Sequence, residues 1–146
     1  MMKIKTAQTQ SDLESMYPLL VELRPHLTYE NFLDSYNNAH KNDQYELVGF
    51  YEDDNLIALI GYRVLYDFVR GRHLYIDDLI TSVTVRSKGL GAKVLEFAEE
   101  KAHELNCTGG LRLCVGLENT RGIKFYEKNG WKARTFAYTK KFTTKL

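Results

Sequence analysis

The sequence predicts a mixed α/β domain: a mostly antiparallel central sheet flanked by about four helices, with one parallel β-α-β crossover. Three observations predict it. Two helix-period segments precede the strand-rich stretch, three strand-like runs then follow through connections too short to cross over, and one helix-period segment separates the third run from a short apolar one. The 146 residues suffice for a single domain, 1–146, that would bury roughly two-thirds of the surface its unfolded chain exposes.

Residues 11–24 read as the first helix, with Ser11 or Asp12 near its N-cap and Leu13, Met16, Leu20 and Leu23 as its apolar positions. Pro18 lacks an N–H and is expected to kink or restart it. A second short helix fits 29–40. The period then shortens to two: Tyr45–Tyr51 and Leu56–Tyr66 are strand-like and are joined by Glu52-Asp53-Asp54-Asn55, a polar hairpin turn. A third run covers about 73–85. After Gly89 the helical period returns, with Leu90, Val94, Ala98, Ala102 and Leu105 on one face and Lys93, Glu96, Glu100 and Glu104 around the other. Asn106 and Gly109-Gly110 stop it. Leu111–Leu117 is almost wholly apolar, as a strand buried beside a parallel neighbour should be. A last helix, about Thr120 to Lys128, ends at Asn129-Gly130, where Gly130 suits a left-handed C-cap, and Trp131 to Phe142 supplies one or two final strands.

Twenty basic and 19 acidic residues leave a net charge of +1, so neither nucleic acid nor an acidic membrane is an expected partner, and any anion site must be local. Cys107 and Cys114 lie outside any CxxC spacing, and Cys114 sits in an apolar strand pattern that suits a reduced, packed thiol. With no leader-like or membrane-length apolar stretch, the expected setting is soluble and cytoplasmic. His26, His40, His73 and His103 have no ligand spacing, so no metal is expected.

The chemistry concentrates where Ser82-Val83-Thr84-Val85 runs into Arg86-Ser87-Lys88-Gly89-Leu90-Gly91 and then into Ala92-Lys93-Val94-Leu95. A strand, a glycine-rich turn and a helix start bring free backbone N–H groups and the positive end of a helix dipole to one point, which suits phosphate. A P-loop would need four residues between its glycines and then Gly-Lys-Ser/Thr, which this sequence lacks. A dinucleotide fingerprint would need a third glycine where Val94 stands. What remains, Arg86-x-x-Gly89-x-Gly91, resembles the Arg/Gln-x-x-Gly-x-Gly/Ala signature of the GNAT superfamily of N-acetyltransferases, which bind acetyl coenzyme A. A second segment, Asn119 with Gly122-Ile123-Lys124-Phe125-Tyr126-Glu127-Lys128-Asn129-Gly130-Trp131, resembles that family's Asn-x-x-Ala-x-x-Phe-Tyr-x-x-x-Gly-Phe block. Leu23-Arg24-Pro25-His26-Leu27 and Tyr75-Ile76-Asp77-Asp78-Leu79-Ile80-Thr81 resemble segments of a bacterial subgroup of the same family. The chain departs from the pattern in lacking a proline before Arg86, in Ser87 where glycine is common, and in Gly122 for alanine. None of these removes a chemical group.

The resemblance implies an N-acetyltransferase that moves an acetyl group from acetyl-CoA to a primary amine, on a small molecule or a peptide, with the crossover at the coenzyme site. Direct transfer in a ternary complex is expected because neither motif contains a cysteine to carry the acyl group. Backbone N–H groups of Arg86, Ser87, Lys88, Gly89, Leu90, Gly91 and Ala92 would hold the pyrophosphate, with the Arg86 and Lys88 side chains adding charge. Val83, Thr84 and Val85 would lie along the pantetheine arm, Val83 and Val85 pairing with it as a strand, and Asn119 belongs to the second coenzyme motif. Tyr126 matches the tyrosine that the family places near the sulfur, where its hydroxyl can protonate the thiolate. Beside Phe125 it also fits an ordinary packed aromatic. An alkylammonium of pKa about 10 needs a carboxylate to take its proton, and Asp77 and Asp78 are the candidates. Strand alternation would put them on opposite faces, with one toward the acceptor cleft. The resemblance places a glutamate at Asp77; the shorter aspartate favours a relay through water. Either residue also fits a hydrogen-bonded aspartate at a strand bend. Tyr29, Tyr36 and Tyr66 suit both a pocket lining and simple packing, and the apolar C-terminal strands would suit a homodimer interface. The alternative function is a non-catalytic acyl-CoA-binding sensor or scaffold.

Overall fold

The computed structural model describes residues 2–85 and 89–143. Its elements are β1 (Met2–Thr6), α1 (Gln10–Leu23), α2 (Tyr29–Asp43), β2 (Glu46–Glu52), β3 (Asn55–Asp67), β4 (Gly71–Thr81), α3 (Leu90–Glu104), β5 (Leu111–Leu113) and α4 (Thr120–Lys128). They fall into two compact units, residues 1–113 and 114–146.

The first unit is a five-stranded sheet in the order β1-β2-β3-β4-β5 with helices on both faces. Every pairing is antiparallel except β4 with β5, so the expected mixed sheet and its single parallel crossover through α3 are both present. On one face Tyr45, Leu47, Leu59 and Ile80 pack against Leu13, Met16, Leu19 and Leu20 of α1 and Phe32 and Tyr36 of α2. The alternate residues Val48, Phe50, Ile60, Leu74 and Ile76 are buried too, on the other face, where Phe50 meets Phe97 of α3 edge to face. The hairpin between β2 and β3 turns through Asp53 and Asp54, whose φ angles of 49° and 68° are the left-handed pair that a tight two-residue turn requires.

Several elements differ from expectation. β1 carries no strand signal in the sequence, because Lys3 and Lys5 flank a half-exposed Ile4, a pattern typical of a charged edge strand rather than a core one. The N-cap of α1 is Thr9, not Ser11 or Asp12. Its hydroxyl accepts from the Asp12 N–H at 3.1 Å, while the Asp12 carboxylate accepts from the Gln8 and Thr9 N–H groups at 2.9 and 3.1 Å, closing a capping box. Pro18 does not break α1, whose buried residues on both sides of the proline hold the two halves to the sheet. β4 stops at Thr81 instead of reaching 85: the Val85 N–H donates to the Ser82 carbonyl at 3.1 Å and closes a turn, so Val83, Thr84 and Val85 are not strand residues here. β5 holds three residues, not seven, because its ladder with β4 ends at Ile76↔Leu113.

The second unit begins at Cys114, which is exposed rather than packed; Cys107 is the buried thiol. α4 has the expected bounds, with the Asn119 side chain accepting from the Gly122 N–H at 2.9 Å and Gly130 left-handed at φ 91°. The expected strands over 131–142 are absent. The alternating aromatics are there, but Phe136, Tyr138 and Phe142 are exposed, and among the described residues no strand pairs with this segment.

Candidate functional site

The register of β3 on β4 passes from Gly61↔Asp78 to Tyr62↔Ile76 and leaves Asp77 without a cross-strand partner. That is a β-bulge, and it corrects the expectation that Asp77 and Asp78 face opposite ways. One extra residue advances the alternation by a step, so both carboxylates point to the side covered by α1 and α2. Both line a cavity of about 230 Å3, together with Leu20, Arg24, Phe32, Tyr36, Tyr45 and Arg63 among others.

The two aspartates are held differently. Asp78 Oδ1 accepts from Arg24 Nε at 3.1 Å, and its Oδ2 accepts from the Tyr45 hydroxyl at 2.7 Å. Tyr45 reaches that oxygen only because residue 61 is glycine: a Cβ there would collide with the Tyr45 hydroxyl and lie 2.6 Å from its Cζ. Asp77 accepts from Arg63 Nε at Oδ1, at 3.0 Å, and its Oδ2 has no hydrogen bond among the described residues. Arg63 also pairs with Asp43 at 2.9 Å and lies over the Tyr45 ring at 5.3 Å. Arg24 braces the bulge a second time by donating to the Asp77 carbonyl at 2.8 Å. Burial pushes the Asp77 carboxyl above its ordinary value of 3.8 despite the opposing pull of Arg63. Burial, with the Asp78 charge beside it, pushes the Tyr45 hydroxyl far above 10.0, so Tyr45 is a donor at every physiological pH.

At the start of α3, Gly89 is the N-cap with φ 76°. Threonine or asparagine side chains cap α1, α2 and α4, whereas among the described residues no side-chain hydrogen bond caps α3, and its first turn carries no acid. N–H groups left free at a helix start suit an anion, and a Cβ at Gly89 would meet nothing within 4 Å. These features fit a pyrophosphate. Arg86, Ser87 and Lys88, expected to contribute, lie outside the described residues.

In the second unit, Tyr126 sits on α4 with its ring 5.1 Å from Phe125 and 5.7 Å from Trp131. Burial raises its hydroxyl above 10.0, so it carries its proton at neutral pH. Asn119 is the α4 N-cap.

Reading the sequence alone missed Arg24, Arg63 and Tyr45. The signal for Arg24 lies in the sequence, since the segment around it and the one around Asp77 both resemble the same subgroup, and the fold joins them. Arg63 and Tyr45 lie in runs whose apolar alternation concealed them. Of the three tyrosines suggested as lining, Tyr36 borders this cavity, Tyr66 borders a broader cleft near the C-terminal end of α3, and Tyr29 packs on Tyr17 and Phe32. That cleft, about 1070 Å3, contains neither aspartate. Among the described residues there is no cluster suited to a metal, and no helix is long and apolar enough to cross a membrane.

The chain resembles known proteins over most of its length. It is 29% identical over 141 residues to the N-acetyltransferase YhdJ of Bacillus subtilis, covering 96% of this chain and 99% of that one. It is 24% identical over 136 residues to the aminoalkylphosphonate N-acetyltransferase of Salmonella typhimurium, covering 90% and 86%. Among solved structures, the aminoglycoside N-acetyltransferase AAC(6')-Iy in complex with CoA superposes with a TM-score of 0.82 over 97% of this chain and 96% of that one, a likeness of fold at 17% identity. The pattern of the acetyltransferase (GNAT) family matches residues 8–131. A match of that extent reaches well beyond the two motifs, and the chain therefore belongs to the GNAT family of acetyltransferases.

Proposed function

We propose that the protein is an acetyl-CoA-dependent N-acetyltransferase acting by direct transfer, with Asp77 as the proton acceptor for the amine and Tyr126 as the proton donor to the thiolate. Acetyl-CoA supplies the activated acyl group. Backbone N–H groups from Gly89 to Ala92, with Arg86, Ser87 and Lys88 before them, are the donors for its pyrophosphate; Val83, Thr84, Val85 and Asn119 complete the coenzyme side. The uncapped start of α3 supports this assignment.

The observation that carries the proposal is the state of Asp77. It lines a cavity, one of its oxygens is uncommitted among the described residues, and burial raises its proton affinity toward the range in which a carboxylate works as a base. Asp78 has no oxygen left for a substrate, since Arg24 and Tyr45 occupy both. Tyr126 is fully protonated at neutral pH and therefore able to donate. The aminoalkylphosphonate and aminoglycoside N-acetyltransferases that the chain resembles bear the names of small-molecule amines, which supports an acceptor of that kind.

Release of free thiol from acetyl-CoA with a panel of primary amines tests the proposal. Turnover that needs both substrates, with intersecting initial-rate lines, is the expected result. Tight coenzyme binding with no turnover on any amine would overturn it in favour of a sensor.

A further inference from the structure

The cavity that holds Asp77 also carries two guanidinium groups, and these bear on what enters it. Arg24 donates through Nε and Nη2, and Arg63 through Nε and Nη1. Among the described residues neither Arg24 Nη1 nor Arg63 Nη2 donates to anything, although both side chains line the cavity. Asp77 Oδ2 is the matching acceptor, uncommitted among the described residues. One small space therefore offers a carboxylate oxygen for an ammonium and arginine N–H groups for an anion.

Charge and size narrow the occupant. Arg24 and Arg63 balance Asp77 and Asp78, so a polycation entering here would meet two positive groups as well as two negative ones. A plain alkylamine would cover arginine N–H groups without satisfying them, which is costly in a desolvated site. The volume of about 230 Å3 lies below the roughly 300–1,000 Å3 of sites that take drug-sized ligands, so the bound part must be small.

Resting on the acetyl-transfer reading above, we infer that the acceptor is a small zwitterion: a primary amine with an anionic group a few atoms away, the amine at Asp77 and the anion at Arg24 and Arg63. The anion is the specificity element, because a charge-assisted pair to arginine separates such an acceptor from its uncharged counterpart.

The test compares β-alanine and O-phosphoethanolamine with propylamine and 1,3-diaminopropane, and the full-length protein is used throughout. The expected result is a kcat/KM for at least one of the zwitterions roughly ten- to a hundredfold above that for propylamine, the worth of one charged hydrogen-bonded contact. In Arg24→Gln that ratio falls at least tenfold. Propylamine or 1,3-diaminopropane performing as well as both zwitterions overturns the inference. If no amine turns over, the acetyl-transfer reading has failed, and calorimetry in the presence of CoA decides the remainder. A zwitterion binding at least tenfold more tightly than propylamine upholds the site; equal binding, or none, removes it. Should Arg24→Gln fail to fold, the ratio for the unaltered protein and the calorimetry still decide.

Discussion

Gly61→Ala is the sharpest test of how the acidic cluster is built. An added Cβ would overlap the Tyr45 hydroxyl and lie 2.6 Å from its Cζ and 2.9 Å from Asp78 Oδ2. The φ of Gly61 is not in the left-handed region, so alanine meets no backbone penalty and the effect falls on Tyr45 and its partner Asp78. Tyr45 is only 7% exposed and has little room to retreat. Its ring must tilt, which costs about 1–3 kcal/mol as overpacking. Its 2.7 Å hydrogen bond to Asp78 is lost at about 1.5–3 kcal/mol more. The sum, about 2.5–6 kcal/mol, is a large part of the 5–15 kcal/mol typical of a domain, and it corresponds to a fall in Tm of roughly 8–20 °C. Urea unfolding at 25 °C and calorimetry measure it. Because Gly61→Ala already breaks the Tyr45–Asp78 bond, and Tyr45→Phe removes the hydroxyl that the added Cβ overlaps, Tyr45→Phe should cost nothing further in that background, giving a coupling of at least about 1.5–3 kcal/mol in the double-mutant cycle. A loss below about 1 kcal/mol, or strict additivity with Tyr45→Phe, would refute the argument that glycine is needed for Tyr45 to reach Asp78.

Three further outcomes are expected. Asp77→Asn should lower kcat by about a hundredfold or more while leaving the KM for acetyl-CoA within a few fold. In the unaltered protein kcat/KM should rise as pH climbs through the Asp77 value, which lies above 3.8, and this limb should vanish in Asp77→Asn; a limb that vanishes only in Asp78→Asn would move the base one residue on. Tyr126→Phe should reduce kcat far more than coenzyme affinity measured by calorimetry, and an unchanged kcat would remove it from the acid role. Asp12, held at about 2 by Lys5 and by the N–H groups of Gln8 and Thr9, contributes stability that is complete above its ordinary 3.8 and lost as pH falls toward 2. Asp12→Asn should therefore flatten the acid limb of Tm against pH over that window.

The sequence was legible where pattern and local chemistry agree. Leu90, Val94, Ala98 and Ala102 marked α3 because a helix buried along one side must repeat at that spacing, and Asn119 and Gly130 bracketed α4 because caps act within a turn of the backbone. It was illegible where a non-local event overrides the pattern. Nothing in Ile76-Asp77-Asp78-Leu79 announces a bulge, which exists only as a relation between β4 and β3. The Arg24 contact joins residues 54 apart in the chain, and the Tyr45 contact depends on a missing side chain at residue 61. The alternation over 131–142 predicted strands, but a strand also needs a neighbour, and local sequence does not supply one.

The bulge at Asp77 gives β4 two phases. Before it, odd-numbered residues such as His73 and Tyr75 lie across from Leu65 and Arg63 and share their face; after it, even-numbered Asp78 and Ile80 take over that face opposite Gly61 and Leu59. The strand is in effect two half-strands spliced out of step, and the charged cluster sits at the splice. Chemistry placed there is set by counting as much as by composition. Deleting a single residue at the junction would restore one continuous alternation and send one of the two carboxylates through to the opposite face of the sheet, while leaving every other residue type in place.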